Sequence, residues 1–446
     1  MQLIRPYAEW KPWKERIRHV TWSWHAVIMG TGVVSSLLHN FPYHNSSVPL
    51  QYTALGIDFL NMGLFAFVCS CTVLTYILFP EIWPIMLSDP TQSLYIGCFP
   101  MGAATLVNAA LAFNQLWGVG GRRFLYVLWG LWWLDTVIAL MVAFGMVCTM
   151  VVLHEHNVEK MTPVWLLPVV PLSVASSSGG LMANALKAHS TSFSLLTSTF
   201  FFGMLLAGLP LAVMIIAVYV QRLIVYGLPS APLILSAFIV LGPMGQGGWS
   251  LLLNGQNVSE LLPLHDQGSF PQSLLTGQML FASCFSAAFM LWSMGICWII
   301  ITCFSVAYTL RKTRVPLSMA YWGLIFPNGA YSLLCVQLGN VLGSPFFRGV
   351  GAVWSCITMA VWLGVFICSI PSFIDGSIFN AAYLRDFPES EQAGITISFW
   401  KEGSEETAVN NTRATGTPAP STCTSVHDLI SKTDIANALT GKLSPA

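Results

Sequence analysis

Five times along the chain a long apolar stretch is interrupted by a step that disfavours regular helix, and four of the five steps centre on proline. They read Ile28-Met29-Gly30, Phe99-Pro100-Met101-Gly102, Val170-Pro171-Leu172-Ser173, Gly242-Pro243-Met244-Gly245 and Phe326-Pro327-Asn328-Gly329. From Ile28 to Pro100 is 72 residues, from Pro100 to Pro171 is 71, from Pro171 to Pro243 is 72, and from Pro243 to Pro327 is 84. A near-constant period longer than one membrane span predicts a unit of two spans repeated five times, each with one broken helix and one unbroken partner. Irregular backbone at membrane depth is tolerated where it is buried in protein or lines a wet cavity. The pattern therefore predicts a transport path built from five kinked helices.

Composition supports a membrane setting. Of 446 residues 55% are hydrophobic and 9% charged, where a soluble domain carries about 25% charged residues. The apolar residues fall into ten blocks of about 20 residues or more, enough to cross a hydrocarbon core of roughly 30 Å. The blocks are 20–38, 52–79, 94–116, 124–152, 163–187, 193–221, 231–253, 273–306, 317–340 and 349–374. The fold class expected is all-α integral membrane, with ten transmembrane helices as five helical hairpins. Three regions follow: a basic N-terminus at 1–19, a ten-helix transporter domain at 20–375, and a polar, Ser/Thr-rich tail at 376–446 that reads as disordered.

The Lys+Arg and Asp+Glu totals are both 19, so no net charge argues for a nucleic-acid partner. The basic residues are unevenly placed, and that sets orientation. Arg5, Lys11, Lys14, Arg16 and Arg18 precede the first span, and Lys160, Arg222, Arg311, Lys312 and Arg314 fall on the same side. Arg122, Arg123, Lys187 and Arg348 fall on the other. Both termini are expected in the cytoplasm. The sequons at Asn45 and Asn257 then fall in predicted external loops, and the one at Asn410 in the tail. Most of the eleven cysteines lie inside apolar runs, where thiols act as small apolar groups, and no spacing resembles a zinc site. No cofactor or metal is expected.

The five steps all fall on odd-numbered spans. A proline within a helix removes a backbone donor, and the amides after the break form a local helix N-terminus with positive partial charge. Five such ends around one axis would favour an anion without a formal charge. Hydroxyls and amides near the steps extend the candidate lining: Gly30, Thr31 and Gly32; Phe99, Pro100, Thr105 and Asn108; Pro171 and Ser176; Pro243 and Gln246; and Pro327. No Lys or Arg falls near mid-membrane in these spans, and a weak, charge-free site suits rapid passage. The competing reading is that each proline only kinks a packed helix.

Phe99 and Phe326 each precede a proline at a step, as a pore plug would; for Phe99 ordinary packing is the preferred reading. Asp135 lies within the fourth span, where an ionisable group is costly. It is read as a helix-to-helix hydrogen-bonding residue first and as a possible proton-coupling group second. Asp58 reads as interfacial, Lys187 and His189 as solvated loop residues, and His25 as a satisfied core histidine. The His154-Glu155-His156 run has metal-ligating residue types but stands alone in a short loop. It is the only support for a membrane-enzyme reading, apart from Asp135.

WHAVIMGTGVVSSLLHNFPY (Trp24 to Tyr43), with the later FPMG, GPMGQGGWS and WGLIFPNGAYS segments, resembles the fungal sulfite efflux pumps. These belong to the tellurite-resistance/dicarboxylate transporter (TDT) family, which includes plant slow-type anion channels. The resemblance spans about 20–375. It implies five hairpins in quasi-fivefold arrangement, odd helices lining a pore, and an occluding phenylalanine on the ninth span, here Phe326. It further implies export of sulfite or bisulfite across the plasma membrane, with membrane lipid as surroundings. A dicarboxylate (malate)/proton transporter or another small-anion channel of the same family is the alternative. The assembly implied is a homo-oligomer, a trimer by resemblance, with a dimer as the alternative. Where the other repeats have proline this chain has Ile28, so its first kink would rest on Gly30 and Gly32.

Overall fold

The computed structural model describes residues 13–265, 272–313, 318–379, 381 and 384. Arg5, Lys11, Arg314, the Asn410 sequon and nearly all of the tail lie outside them. Among the described residues the regular structure is helical. The α-helices are α1 (Trp13–Arg18), α2 (His25–His39), α3 (Val48–Leu78), α4 (Ile82–Ser88), α5 (Cys98–Trp117), α6 (Gly121–Val152), α7 (Val170–Leu186), α8 (Thr191–Tyr226), α9 (Leu241–His265), α10 (Ser273–Lys312), α11 (Ile325–Leu342) and α12 (Pro345–Ile374). Seven helical segments are long and apolar enough to cross a bilayer: α3, α6, α8, α10, α12, and α5 and α9 with the turns before them. The remaining candidates, α2, α7 and α11, have 15, 17 and 18 residues, shorter than the sequence blocks suggest.

The difference lies in how each proline step is built. The chain does not break at the proline. It runs through a 3-10 stretch and then widens into an α-helix: 22–24 into α2, 93–97 into α5, 163–166 before α7, 231–240 into α9, and 319–324 into α11. Pro100, Pro171, Pro243 and Pro327 lie in the first turn of the α-helix, where a missing N–H costs no intrahelical bond. The helix start therefore precedes each proline by one or two residues, instead of following it. The 3-10 turns also occupy junction amides: His25 N–H reaches Trp22 O, Cys98 reaches Tyr95 O, Leu241 reaches Phe238 O and Ile325 reaches Trp322 O.

Each short helix packs on the long helix that follows it: α2 on α3, α5 on α6, α7 on α8, α9 on α10 and α11 on α12. The short helices also touch one another in sequence, α2 to α5, α5 to α7, α7 to α9 and α9 to α11, and α11 returns to α2. The long helices expose large apolar side chains such as Ile77, Met141, Ile224, Phe304 and Ile367, a surface suited to lipid. Polar side chains are instead sequestered on the inner helices: Thr31, Thr105, Ser176, Gln246, Ser250, Asn254 and Ser332 are all buried.

Two boundaries differ from the sequence reading. α9 continues to His265, so Asn257 is in a helix at 3% exposure, donating from Nδ2 to Gly180 O at 2.7 Å. It is not in a loop, because polar Asn254 and Asn257 face α7 and the helix needs no hydropathy to persist there. At the other end the chain stays packed beyond 375. Trp24 stacks on Phe379 at 4.9 Å, the Arg16 guanidinium lies 5.9 Å from the same ring, and Arg16 donates to Phe373 O and Ile374 O. The cysteines in the described residues form no disulfide.

Candidate functional site

The polar residues of the inner helices fall into a few interhelical contacts, each set by a short side chain at a close approach. Thr31 donates to Val27 O at 2.8 Å and accepts from Trp362 Nε1 of α12 at 3.2 Å. Thr105 donates to Gly102 O at 2.7 Å and accepts from Asn61 Nδ2 of α3 at 3.3 Å. Ser332 meets Gly351 O at 2.9 Å and Ser355 Oγ at 2.7 Å, both on α12. These hydroxyls tie inner helices to outer ones.

The contact between α7 and α9 is richer. Ser176 donates to Phe201 O of α8 at 2.8 Å and accepts from Ser250 Oγ at 2.7 Å and Asn254 Nδ2 at 3.2 Å. One turn along, Gln246 Nε2 donates to Ser177 Oγ. Asn108 of α5 donates to Ser178 Oγ at 2.9 Å, while its Oδ1 has no partner among the described residues. Thus Asn108, the 176–178 serines, Gln246 and Ser250 form one connected polar seam across α5, α7 and α9.

The glycines act first in packing. A Cβ at Gly30 would touch Ile325 of α11, and one at Gly32 would collide with Thr105 and Asn61. Phe99 packs among Trp22, His25 and Phe65, with ring centroids 5.4–6.1 Å away. Phe326 is 4% exposed and belongs to the buried apolar cluster that includes Met29, Met101, Val170 and Met244. These residues stand beside the steps on the other inner helices.

Two cavities flank that level. One of about 340 Å³ lies by the 3-10 turns, lined by Thr21, Ser23, Gln92, Tyr95, Ser318 and Ser372 among others. The other, about 230 Å³, lies at the far ends of the inner helices, with Ser36, Asn108, Gln115 and Asn184 in its wall. Trp24 is in the wall of the first and Ser36 in that of the second, and Ile325, beside Phe326, packs on Gly30, which lies between them along the chain.

The remaining polar candidates separate clearly. Asp135, 5% exposed on α6, has no hydrogen-bond partner for either carboxylate oxygen among the described residues, so the interhelical bond expected of it is not found. Lys187 is paired with Glu260 of α9, not solvated alone. His25 is buried, its Nδ1 3.3 Å from Trp22 O. His154 Nε2 lies 2.8 Å from Leu87 O, and burial followed by the adjacent His154 ring lowers the His156 pKa. No group of three or more His, Cys, Asp or Glu side chains among the described residues is placed to hold a metal. Asp58 is 4% exposed, and its Oδ2 lies 3.0 Å from His39 Nε2. Sequence reading missed this pair, although His39 ends a run of apolar residues and Asp58 interrupts one.

A set of helices that sequester hydroxyls and amides inside and expose aliphatic side chains outside defines an integral membrane protein built around a polar interior. Sequence comparison places it further: residues 19–370 match the voltage-dependent anion channel family, SLAC1, and the chain belongs to that family. It is 31% identical to the sulfite efflux pump SSU1 of Arthroderma otae over 348 residues, 78% of this chain and 89% of that one. The sulfite efflux pump SSU1 of Trichophyton rubrum is 30% identical over the same shares. The malic acid transport protein of Schizosaccharomyces pombe is 24% identical over 81% of this chain and 80% of its own.

Proposed function

We propose that this protein exports sulfite or bisulfite across the plasma membrane through a central path enclosed by α2, α5, α7, α9 and α11, with the five hairpins in quasi-fivefold arrangement. The observation that carries the reading is the closed cycle of contacts among these five helices, in a chain of an anion-channel family with relatives named as sulfite efflux pumps. Residues 20–375 are the transporter domain, and both termini are cytoplasmic. A homo-oligomer, trimeric on the family resemblance, is the assembly.

Within that path Phe326 is the gate, a buried ring between two cavities whose rotation joins them. Pro100, Pro171, Pro243 and Pro327 fix the 3-10-to-α junctions around it. Thr31, Thr105, Asn108, Ser176 and Gln246 set the polar seams. Sulfite is a small oxyanion, matched by amide and hydroxyl donors that bind loosely enough to release it. The malic acid relative supports a second reading, dicarboxylate transport. A dicarboxylate is best held by a bidentate cation, and α2, α5, α7, α9 and α11 contain no Lys or Arg.

The test is flux into proteoliposomes of sulfite, malate, chloride and nitrate, for wild type and Phe326→Ala. Sulfite-selective flux that rises in Phe326→Ala is the expected result. Malate preference replaces the substrate, and unchanged flux in Phe326→Ala removes the gate.

A further inference from the structure

The cavity at the far ends of the inner helices is formed by the last turns of α2, α5 and α7 together with Trp249 of α9. Helix C-termini present carbonyl oxygens and a partial negative charge. An anion resting there needs a hydrogen-bond donor, and one titratable side chain lines this wall: His39, in the last turn of α2. Its Nε2 lies 3.0 Å from Asp58 Oδ2 on α3, and both side chains are almost wholly withdrawn from solvent. Its Nδ1 has no partner among the described residues.

The chemistry of such a pair is set by its proton count. With no added proton, Nε2–H donates to the Asp58 carboxylate and Nδ1 carries a lone pair. One added proton gives either imidazolium with carboxylate, or neutral imidazole accepting at Nε2 from the carboxylic acid. In both forms Nδ1 carries hydrogen. A single proton thus converts Nδ1 from acceptor to donor. The second component is Asn108, in the same wall, whose amide is bound at one end to Ser178 Oγ and buried without a partner at the other. Because a hydroxyl both accepts and donates, Ser178 can hold either end, and the amide can present its N–H to the cavity.

We infer that this cavity is an oxyanion-binding station at which one anion and one proton arrive together, the proton on the His39–Asp58 pair and the anion on His39 Nδ1–H and the Asn108 amide. The inference rests on the reading that the chain passes anions. The charged pair nearest the wall on α7 and α9 is Lys187, two residues past Ala185, held by Glu260. From α3 the facing group is Asp58, and from α5 it is the Phe113 ring. α2, α5 and α11 contain no Asp, Glu, Lys or Arg. α11 contributes titratable Tyr331 and Cys335, of which Tyr331 is bonded to Trp292 O. α12 carries Arg348, packed at Gly339, and the exposed thiols Cys356 and Cys368. Deprotonation of the pair removes the donor and leaves a net negative site, so binding weakens as pH rises.

Calorimetry on the full chain in lipid nanodiscs tests this, with sulfate as the probe because its charge stays constant from mildly acidic to alkaline pH. Repeating the titration in buffers of different ionisation enthalpy counts protons. The expected result is uptake approaching one proton per sulfate at the alkaline end, with affinity falling by up to about tenfold per pH unit there. His39→Gln abolishes the uptake, and Asn108→Ala weakens binding while the uptake persists. Histidine ¹⁵N shifts in the wild type supply an independent readout: on sulfate addition at the alkaline end, Nδ1 of His39 gains hydrogen. Sulfate binding without proton uptake, uptake unchanged in His39→Gln, or no binding at any pH overturns the proposal. Sulfite flux in liposomes from the same preparation separates the two readings: flux without proton-linked binding removes this inference alone, whereas absence of flux removes the transport reading.

Discussion

Ser176 shows how one small side chain organises three helices. Its hydroxyl donates to Phe201 O on α8 and accepts from Ser250 and Asn254 on α9, so its donor capacity is satisfied and its acceptor sites are shared. Two turns away Asn257 repeats the device against Gly180 O. A hydrogen bond of this kind contributes about 0.5–1.5 kcal/mol net. Asn257→Ala is expected to lower the melting temperature of the detergent-solubilised protein, whereas Asn45→Ala, in the exposed turn between α2 and α3, is expected to leave it unchanged. Expression in a glycosylating host followed by glycosidase treatment is expected to yield no mass shift attributable to Asn257. The sequence displayed these polar residues but not their partners. A sequon reads the same in a loop and in a buried helix, and only the α7–α9 packing distinguishes them.

At the scale of the element, the repeated step is a change of helix type. The 3-10 stretch has i to i+3 bonds and a longer rise, and the proline that follows is preset for the first α-turn. The five-fold recurrence was legible in the chain because Pro and Gly punctuate helices wherever they occur. The direction of the effect was not. Proline inside an apolar block suggests a gap, whereas proline at the third position of a helix favours a start, and the two differ by a few residues that hydropathy does not register. The hairpin pairing was equally readable. The burial of α2, α7 and α11 was not, because polar residues that lower hydropathy are the ones that neighbouring helices satisfy. Glycine marks the closest approaches. A Cβ at Gly245 would meet the backbone of Ala330 and Tyr331, where α9 crosses α11. Gly245→Ala is expected to destabilise by about 1–3 kcal/mol, as overpacking does. Gly56→Ala on α3, where a Cβ meets nothing within 4 Å, is expected to be neutral or slightly stabilising. Paired thermal melts of the two variants check this.

For the molecule as a whole, the two ends of the described chain hold each other. Trp24 and Arg16 from the start clasp Phe379 from beyond α12, and His19 Nδ1 accepts from Ala381 N–H at 3.3 Å. Phe379 is buried, and its truncation to alanine is expected to cost about 3 kcal/mol, the lower end for a buried aromatic ring. Thermal melting of Phe379→Ala beside Phe373→Ala, whose ring is the more exposed, measures the difference. The composition gave no sign of this contact, since from Gly376 onward the sequence turns polar while Ile378 and Phe379 remain the anchoring residues.

The same contacts impose an order on biosynthesis. Thr31 bonds to Trp362, Gly30 faces Ile325 and Val33 faces Gly329, so one flank of α2 finds its partners far downstream, 331 residues on in the case of Trp362. Until α11 and α12 are made, that flank of α2 is uncovered and Thr31 lacks its indole partner. The flank of α2 that faces α11 and α12 is therefore closed only once those two helices have been made.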